Sequence, residues 1–167
     1  MEVEVFTIGH SNHGPDRFTG LLKQHGINVL VDVRSKPSSR FPHFQRDNLI
    51  KLTHGVHVKY LFGGVALGGM SNYGPKDQLF VTKMDTIIEY ATAGKRIVMM
   101  CSEGKPCECH RAGKLTAWLH RERKHVKTTH ILPNGKTTDA VAYEPAVIKA
   151  VRWPEFEPWQ SDLFTKS

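Results

Sequence analysis

The sequence predicts an α/β protein: a single three-layer domain with a mainly parallel sheet, residues 1–151, and a short C-terminal tail, residues 152–167. Three observations predict it. Runs such as INVLVDV and RIVMMC are almost wholly apolar, as strands covered on both faces are. Between them lie stretches whose apolar residues recur at helical spacing. The resulting strand, helix, strand, helix order is that of a sheet with helices packed on it.

The elements follow in order. VEVFTI, from Val3 to Ile8, reads as the first strand, and GHSNHGP breaks it. Pro15 suits the first turn of a helix whose inner side is Phe18, Leu21 and Leu22, with Gly26 just past its end. INVLVDV is the second strand, RSKPSSRFPHF a loop, Gln45 to Thr53 a short helix and HVKYL a third strand. FGGVALGGMSNYGP reads as a glycine-rich loop. Asp77 to Ala93 is the clearest helix, with Phe80, Met84, Ile87, Ile88 and Ala91 on one side and Gly94 ending it. RIVMMC is a buried strand. The next helix takes its inner face from Ala112, Leu115, Trp118 and Leu119. KTTHIL is a strand, Asn134-Gly135 a turn signal, and Thr137 opens a returning strand. Glu144 to Val151 is expected as a last helix. No internal repeat is present.

The 167 residues are 40% hydrophobic, with a mean hydropathy of -0.37, values of a water-soluble chain. No apolar run approaches the roughly 20 residues that span a bilayer. MEVEVFTIGH carries acids where a secretion signal carries Lys or Arg, and the three cysteines cannot pair completely. Both point to a cytoplasmic protein with reduced thiols. The net charge of +7 and pI of about 9.4 suit a polyanionic partner.

In open α/β sheets ligands bind beyond the carboxyl ends of the strands. Three polar clusters fall there: Gly9-His10-Ser11, Asp32-Val33-Arg34 and Cys101-Ser102-Glu103. They are expected to meet at one rim. Cys109, His110 and Arg111 stand at a helix start, where peptide dipoles and a neighbouring cation lower a thiol pKa. Cys109 is therefore the first candidate nucleophile and Cys101 the second, although a cysteine ending a buried strand is also an ordinary core residue. Adjacent residues on a helix do not face each other, so His110 need not serve Cys109. His10 and His110 are candidates to move protons, with Asp32 and Glu103 to orient or assist.

Cys101, Cys107, Cys109 and His110 could together be read as zinc ligands, but C-x5-C-x-C-H is not a usual finger or ribbon spacing. No metal and no cofactor is expected. Gly63, Gly64, Gly68 and Gly69 make neither a dinucleotide nor a P-loop pattern. For an anion, Arg34, Arg40, Arg111 and the helix start are the donors, with the Ser11 and Ser39 hydroxyls. RSKPSSRFPHF mixes positive charge, hydroxyls and phenyl rings, the types that contact phosphates and stack on bases.

FTIGHSNH, LVDVRSKPSSRFPHF, VKYLFGGVALGG and IVMMCSEGKPCECHR together resemble the signature segments of the family catalogued as domain of unknown function 488. The resemblance implies a small bacterial or archaeal α/β domain, often near DNA-handling genes, without an assigned reaction. Its signatures fall here on Gly9, His10, Ser11, Asp32, Arg34, Pro37, Ser39, Leu67, Gly68, Gly69, Cys101, Glu103, Cys109, His110 and Arg111; Gly68 and Gly69 thereby join the substrate-binding candidates. Cys107 lies outside that pattern. In the tail, Gln160-Ser161-Asp162-Leu163-Phe164 resembles the short bacterial sliding-clamp-binding motif, with Leu163 and Phe164 as anchors for a groove.

These readings combine into an expected function. The chain is read as a DNA-metabolism or repair-associated enzyme, a hydrolase or group transferase, acting on a nucleotide or DNA and tethered to the clamp. A non-catalytic DNA-binding accessory protein and a rhodanese-like sulfur-transfer protein remain the alternatives. The oligomeric state is not legible.

Overall fold

A computed structural model describes residues 2–106, 109–143 and 147–149. The apolar runs form strands β1 (Val3–Gly9), β2 (Val29–Asp32), β3 (Lys59–Phe62), β4 (Ile97–Cys101) and β5 (Val126–Ile131), all mutually parallel. The Asn134-Gly135 turn returns the chain as β6 (Thr137–Asp139), antiparallel to β5. The sheet order is β3-β2-β4-β1-β5-β6. The expected mainly parallel three-layer α/β architecture is the one the chain adopts.

Parity along the strands sorts the core into two layers. Phe6, Ile8, Leu30, Val98 and Met100 pack under helix α1 (Pro15–Gln24) and helix α2 (Arg46–His54) through Phe18, Leu21, Leu22 and Leu49. On the other face Val5, Val29, Val31, Ile97, Met99 and Cys101 meet the later helices. These are α3 (Gly64–Leu67), α4 (Gln78–Thr92) and α5 (Ala117–Glu122). Phe80, Met84, Ile87 and Ile88 of α4 are buried as their spacing predicts, and Phe80 meets Trp118 edge-on at 5.6 Å. Each such side chain removes roughly 1.5–3 kcal/mol worth of apolar surface from water.

Two departures from the sequence reading bear on the site. The glycine-rich stretch holds a single helical turn, α3, where a loop was expected. The helix after β4 begins as a wide π-helical segment, Arg111–Thr116, before narrowing into α5. Beyond β6 the chain forms α6 (Ala140–Tyr143), and 147–149 are helical; the rest of the expected Glu144–Val151 helix lies outside the described residues. No helix among the described residues is long and apolar enough to cross a membrane.

The connections determine where a ligand can enter. The chain leaves β1 toward α1 on one face and leaves the neighbouring β4 toward α5 on the other. Adjacent strands whose exits diverge open a crevice at their carboxyl ends, a topological switch point.

Candidate functional site

The three strand-end clusters do converge. Gly9 pairs with Cys101 and Asp32 with Met100, so the ends of β1, β4 and β2 lie side by side. The ladder runs on past the strands: His10 N donates to Cys101 O at 2.8 Å and Ser11 N to Ser102 O at 2.9 Å. Ser11 takes φ +48° at this corner, an uncommon conformation for a residue with a Cβ. The side chains, however, do not form one site. Strand alternation sends His10, Asp32 and Arg34 to the α1–α2 face and Cys101 to the α4–α5 face.

On the α1–α2 face, the His10 ring stacks on Phe44 with centroids 4.1 Å apart, and Phe44 meets Phe18 and His43 in turn. His10 Nδ1 donates to Ser11 O at 2.8 Å, which fixes the tautomer and leaves the lone pair on Nε2. Burial pushes the His10 pKa down to about 4, partly offset by that carbonyl, so the ring is neutral at pH 7. His10 is only 3% exposed, yet Nε2 has no protein partner. Beside it, Asp32 is fully buried and takes a bidentate pair from Arg34, Nε to Oδ1 at 2.9 Å and Nη2 to Oδ2 at 2.7 Å. Arg34 N and the Tyr60 hydroxyl also donate to Asp32, and Arg34 Nη1 donates to the carbonyls of Ser38 and Phe44. Burial and the Asp32 bond hold the Tyr60 hydroxyl well above its ordinary pKa.

On the α4–α5 face, Cys101 is buried and Cys109 half-buried, with their sulfurs 2.7 Å apart. Arg111 is completely buried. Its Nη1 donates to Cys101 Sγ at 2.7 Å and to Glu103 O at 2.6 Å, and its Nη2 to Gly104 O at 3.1 Å. Only Arg111 Nε lacks a partner among its nitrogens. Burial alone raises the Cys101 thiol pKa, but the Cys109 bond and the Arg111 charge outweigh it and hold the thiol below its ordinary value. Cys109 moves the other way, raised by its bond to Cys101 and by burial. The buried guanidinium and the Cys109 bond thus favour the charged form at Cys101 over that at Cys109. His110 Nε2 lies 3.0 Å from Val33 O, leaving Nδ1 as the lone-pair nitrogen, 3.5 Å from Cys109 Sγ. Burial pushes the His110 pKa down to about 4.

A cleft of about 720 Å³ opens at the switch point. Its walls come from His10, Ser11 and Asn12 after β1, from Ser38 to Phe41 after β2, and from Ser102 to Lys105 after β4. Arg40 lies over the Phe41 ring at 4.9 Å, and Ser39 Oγ accepts from Phe41 N. Cations, hydroxyls and one aromatic face therefore share a single opening.

The sequence candidates divide accordingly. His10, Ser11, Ser39, Arg40 and Glu103 border the cleft. Cys101, Cys109, His110 and Arg111 form the thiol cluster behind the Glu103–Gly104 wall. Arg34 and Arg111, expected as phosphate ligands, are instead buried and engaged with protein acceptors, so neither offers its guanidinium fork to solvent. Asp32, expected to orient or assist, takes four hydrogen bonds on its two oxygens, three from Arg34 and one from Tyr60. Cys101, not Cys109, is the sulfur that meets the Arg111 guanidinium, at 2.7 Å. His110 does reach Cys109, because ring rotation at the helix start spans what neighbouring backbone positions do not. Gly68 and Gly69 are packing positions: a Cβ at Gly69 would stand 3.1 Å from His110 Nδ1, and one at Gly68 2.5 Å from Ser35 Oγ. Gly9 is the tightest, since its Cβ would lie 1.7 Å from Glu103 O and 2.7 Å from Arg111 Nη1.

Sequence reasoning missed Tyr60, Lys105, Asn12 and Ser38. None carries a spacing signal; Tyr60 looked like any aromatic strand residue. Among the described residues no three His, Cys, Asp or Glu side chains are placed to hold a metal ion. Cys107 and Gln160, Asp162, Leu163 and Phe164 lie outside the described residues.

A family profile described as "Domain of unknown function DUF488" matches residues 14–76. Over that segment the chain resembles the DUF488 family. The match runs from α1 to the loop before α4. It therefore takes in the Asp32–Arg34 pair, the Ser38–Phe41 wall of the cleft and the Gly68–Gly69 packing, and leaves the thiol cluster outside. No curated protein and no solved structure matches the chain.

Proposed function

We propose that this DUF488-like protein is an enzyme of DNA metabolism, a hydrolase or group transferase, that takes a nucleotide or DNA strand into the rim cleft. The observation that carries the reading is His10: a neutral, almost wholly buried imidazole, its Nε2 without a protein partner, in the wall of a cleft that also holds Arg40, Lys105 and the Phe41 ring. A buried acceptor without a partner is a place where a ligand hydroxyl, amine or water binds, because leaving it empty is unfavourable. Arg40 and Lys105 supply the phosphate contacts and Phe41 a stacking face for a base. His10 Nε2 accepts the proton of the attacking group, and the Ser11 carbonyl bonded to Nδ1 keeps that nitrogen's tautomer fixed. The overall charge of +7 supports a polyanionic substrate. The tail segment Gln160, Asp162, Leu163 and Phe164 tethers the domain to a bacterial sliding clamp, raising its effective concentration at DNA.

The test is binding of fluorescent single-stranded DNA and of nucleotides over a salt series. The Arg40→Ala variant is expected to weaken binding about uniformly across sequences and to lower the salt slope by about 1. His10→Phe is expected to remove turnover while leaving the salt slope unchanged. Absence of binding to both ligand classes at low salt would overturn the cleft reading. The tether is tested separately, by clamp binding of the intact chain and of the Leu163→Ala, Phe164→Ala variant.

A further inference from the structure

The proton-transfer role assigned to His10 makes no use of the Cys101–Cys109 pair, which lies behind the cleft wall. That pair has the parts of a redox centre. The two sulfurs are in contact at 2.7 Å. One of them is held by a buried guanidinium at 2.7 Å. The other faces a histidine lone pair at 3.5 Å. Cys101 is 2% exposed, whereas Cys109 is half-buried. A reduced core cysteine needs none of these neighbours.

We propose that Cys101 and Cys109 are a dithiol–disulfide couple oxidised by hydroperoxides, with Cys101 the sulfur that attacks and Cys109 the sulfur that resolves. In the first step Cys101 thiolate attacks a peroxide oxygen, the O–O bond breaks, and hydroxide (or alkoxide) leaves. Cys101 becomes a sulfenic acid, oxidised by two electrons, while the peroxide is reduced. In the second step Cys109 sulfur attacks Cys101 Sγ. The new S–S bond forms, the S–O bond breaks, and the departing oxygen takes the Cys109 proton through His110 Nδ1 to leave as water. A small dithiol restores the pair by exchange, its own two thiols becoming the disulfide. Arg111 holds Cys101 as the charged form before the first step, as cations beside reactive cysteines do. This couple stands independently of the cleft reading, since neither step uses Arg40, His10 or a nucleic acid.

The experiment uses the full chain with Cys107→Ser, so that any intramolecular disulfide can join only Cys101 and Cys109. Hydrogen peroxide is added in stoichiometric amount, free thiols are counted, and the intact mass is read. The expected result is loss of both thiols, a mass lower by two hydrogens, and full recovery with dithiothreitol. With Cys109→Ser added, a cyclic 1,3-dione is expected to label Cys101 as the trapped sulfenic acid, at a rate whose pH midpoint lies below that of an ordinary thiol. Thiols that stay reduced under peroxide, or a disulfide formed only between two chains, would overturn the proposal. So would a wild-type protein whose peptide map pairs Cys107 instead. If the double variant misfolds, the wild-type map still decides.

Discussion

Two buried guanidiniums stand at neighbouring strand ends, and they are held differently. Arg34 has a permanent counter-charge: Asp32 meets it bidentately, and two backbone carbonyls take up Nη1. Arg111 has a conditional one: its anion is a cysteine sulfur, and its other acceptors are the neutral carbonyls of Glu103 and Gly104. A carboxylate keeps its charge throughout the neutral range. A thiolate loses it by taking a proton or by oxidation. The contrast teaches that one end of the sheet pairs its buried arginine with a carboxylate and the adjacent end pairs its own with a thiol, the group whose chemistry allows a change of state.

Acid tests the shared background of both regions first. His10 and His110 have pKa values lowered to about 4, and His130 to about 3, all chiefly by burial. Below pH 6.5 the unfolded chain binds protons that the folded chain refuses, so stability present above that pH is lost as pH falls toward 4. Each of these histidines is expected to contribute roughly 2–3 kcal/mol to that loss. Urea titrations at pH 7 and pH 4.5 read it; equal stabilities would break the assignment of neutral rings. Next in size, Asp32→Asn leaves Arg34 charged and buried without its anion, and is expected to destabilise by about 3–5 kcal/mol. Gly9→Ala is expected to cost about 1–3 kcal/mol, because the added carbon meets Glu103 O and the wall must shift. The denaturant midpoint checks it, and the same variant should slow Cys101 oxidation. Cys101→Ser is the mildest, about 1–2 kcal/mol, because Arg111 keeps its carbonyls. If chemical denaturation finds Cys101→Ser as damaging as Asp32→Asn, the distinction between permanent and conditional partner fails.

The strands, the long helix α4 and the hairpin turn at Asn134-Gly135 were legible in the sequence, because apolar runs, helical spacing and a turn dipeptide each have a local physical cause. So was the meeting of three clusters at one rim, which follows from parallel topology. Their division between two faces was not. In a strand such as β4 every residue is buried, so no polar side marks the parity, and the face that Cys101 takes depends on which helix layer covers it. The single turn α3 was hidden for a different reason: its four residues Gly64–Leu67 are too few to show a period. The bond from Tyr60 to Asp32 joins residues 28 apart and leaves no trace in either neighbourhood.

The wide turn at Arg111–Thr116 has a consequence for how this chain tolerates change in length. A π-helical turn is an α-helix carrying an extra residue. Removing one residue between Ala112 and Thr116 would let that stretch relax to ordinary helical winding while α5 keeps its seat on Phe80. The extra residue is what the wide turn holds, so its removal closes the turn without changing the bearing of the residues before it. Cys109, His110 and Arg111 would keep their direction toward Cys101. The same deletion inside the regular winding of α4 would swing one end of that helix by about 100° around the axis. The wide turn is therefore slack in the chain: a place where its length can change by one residue while the thiol cluster stays aligned.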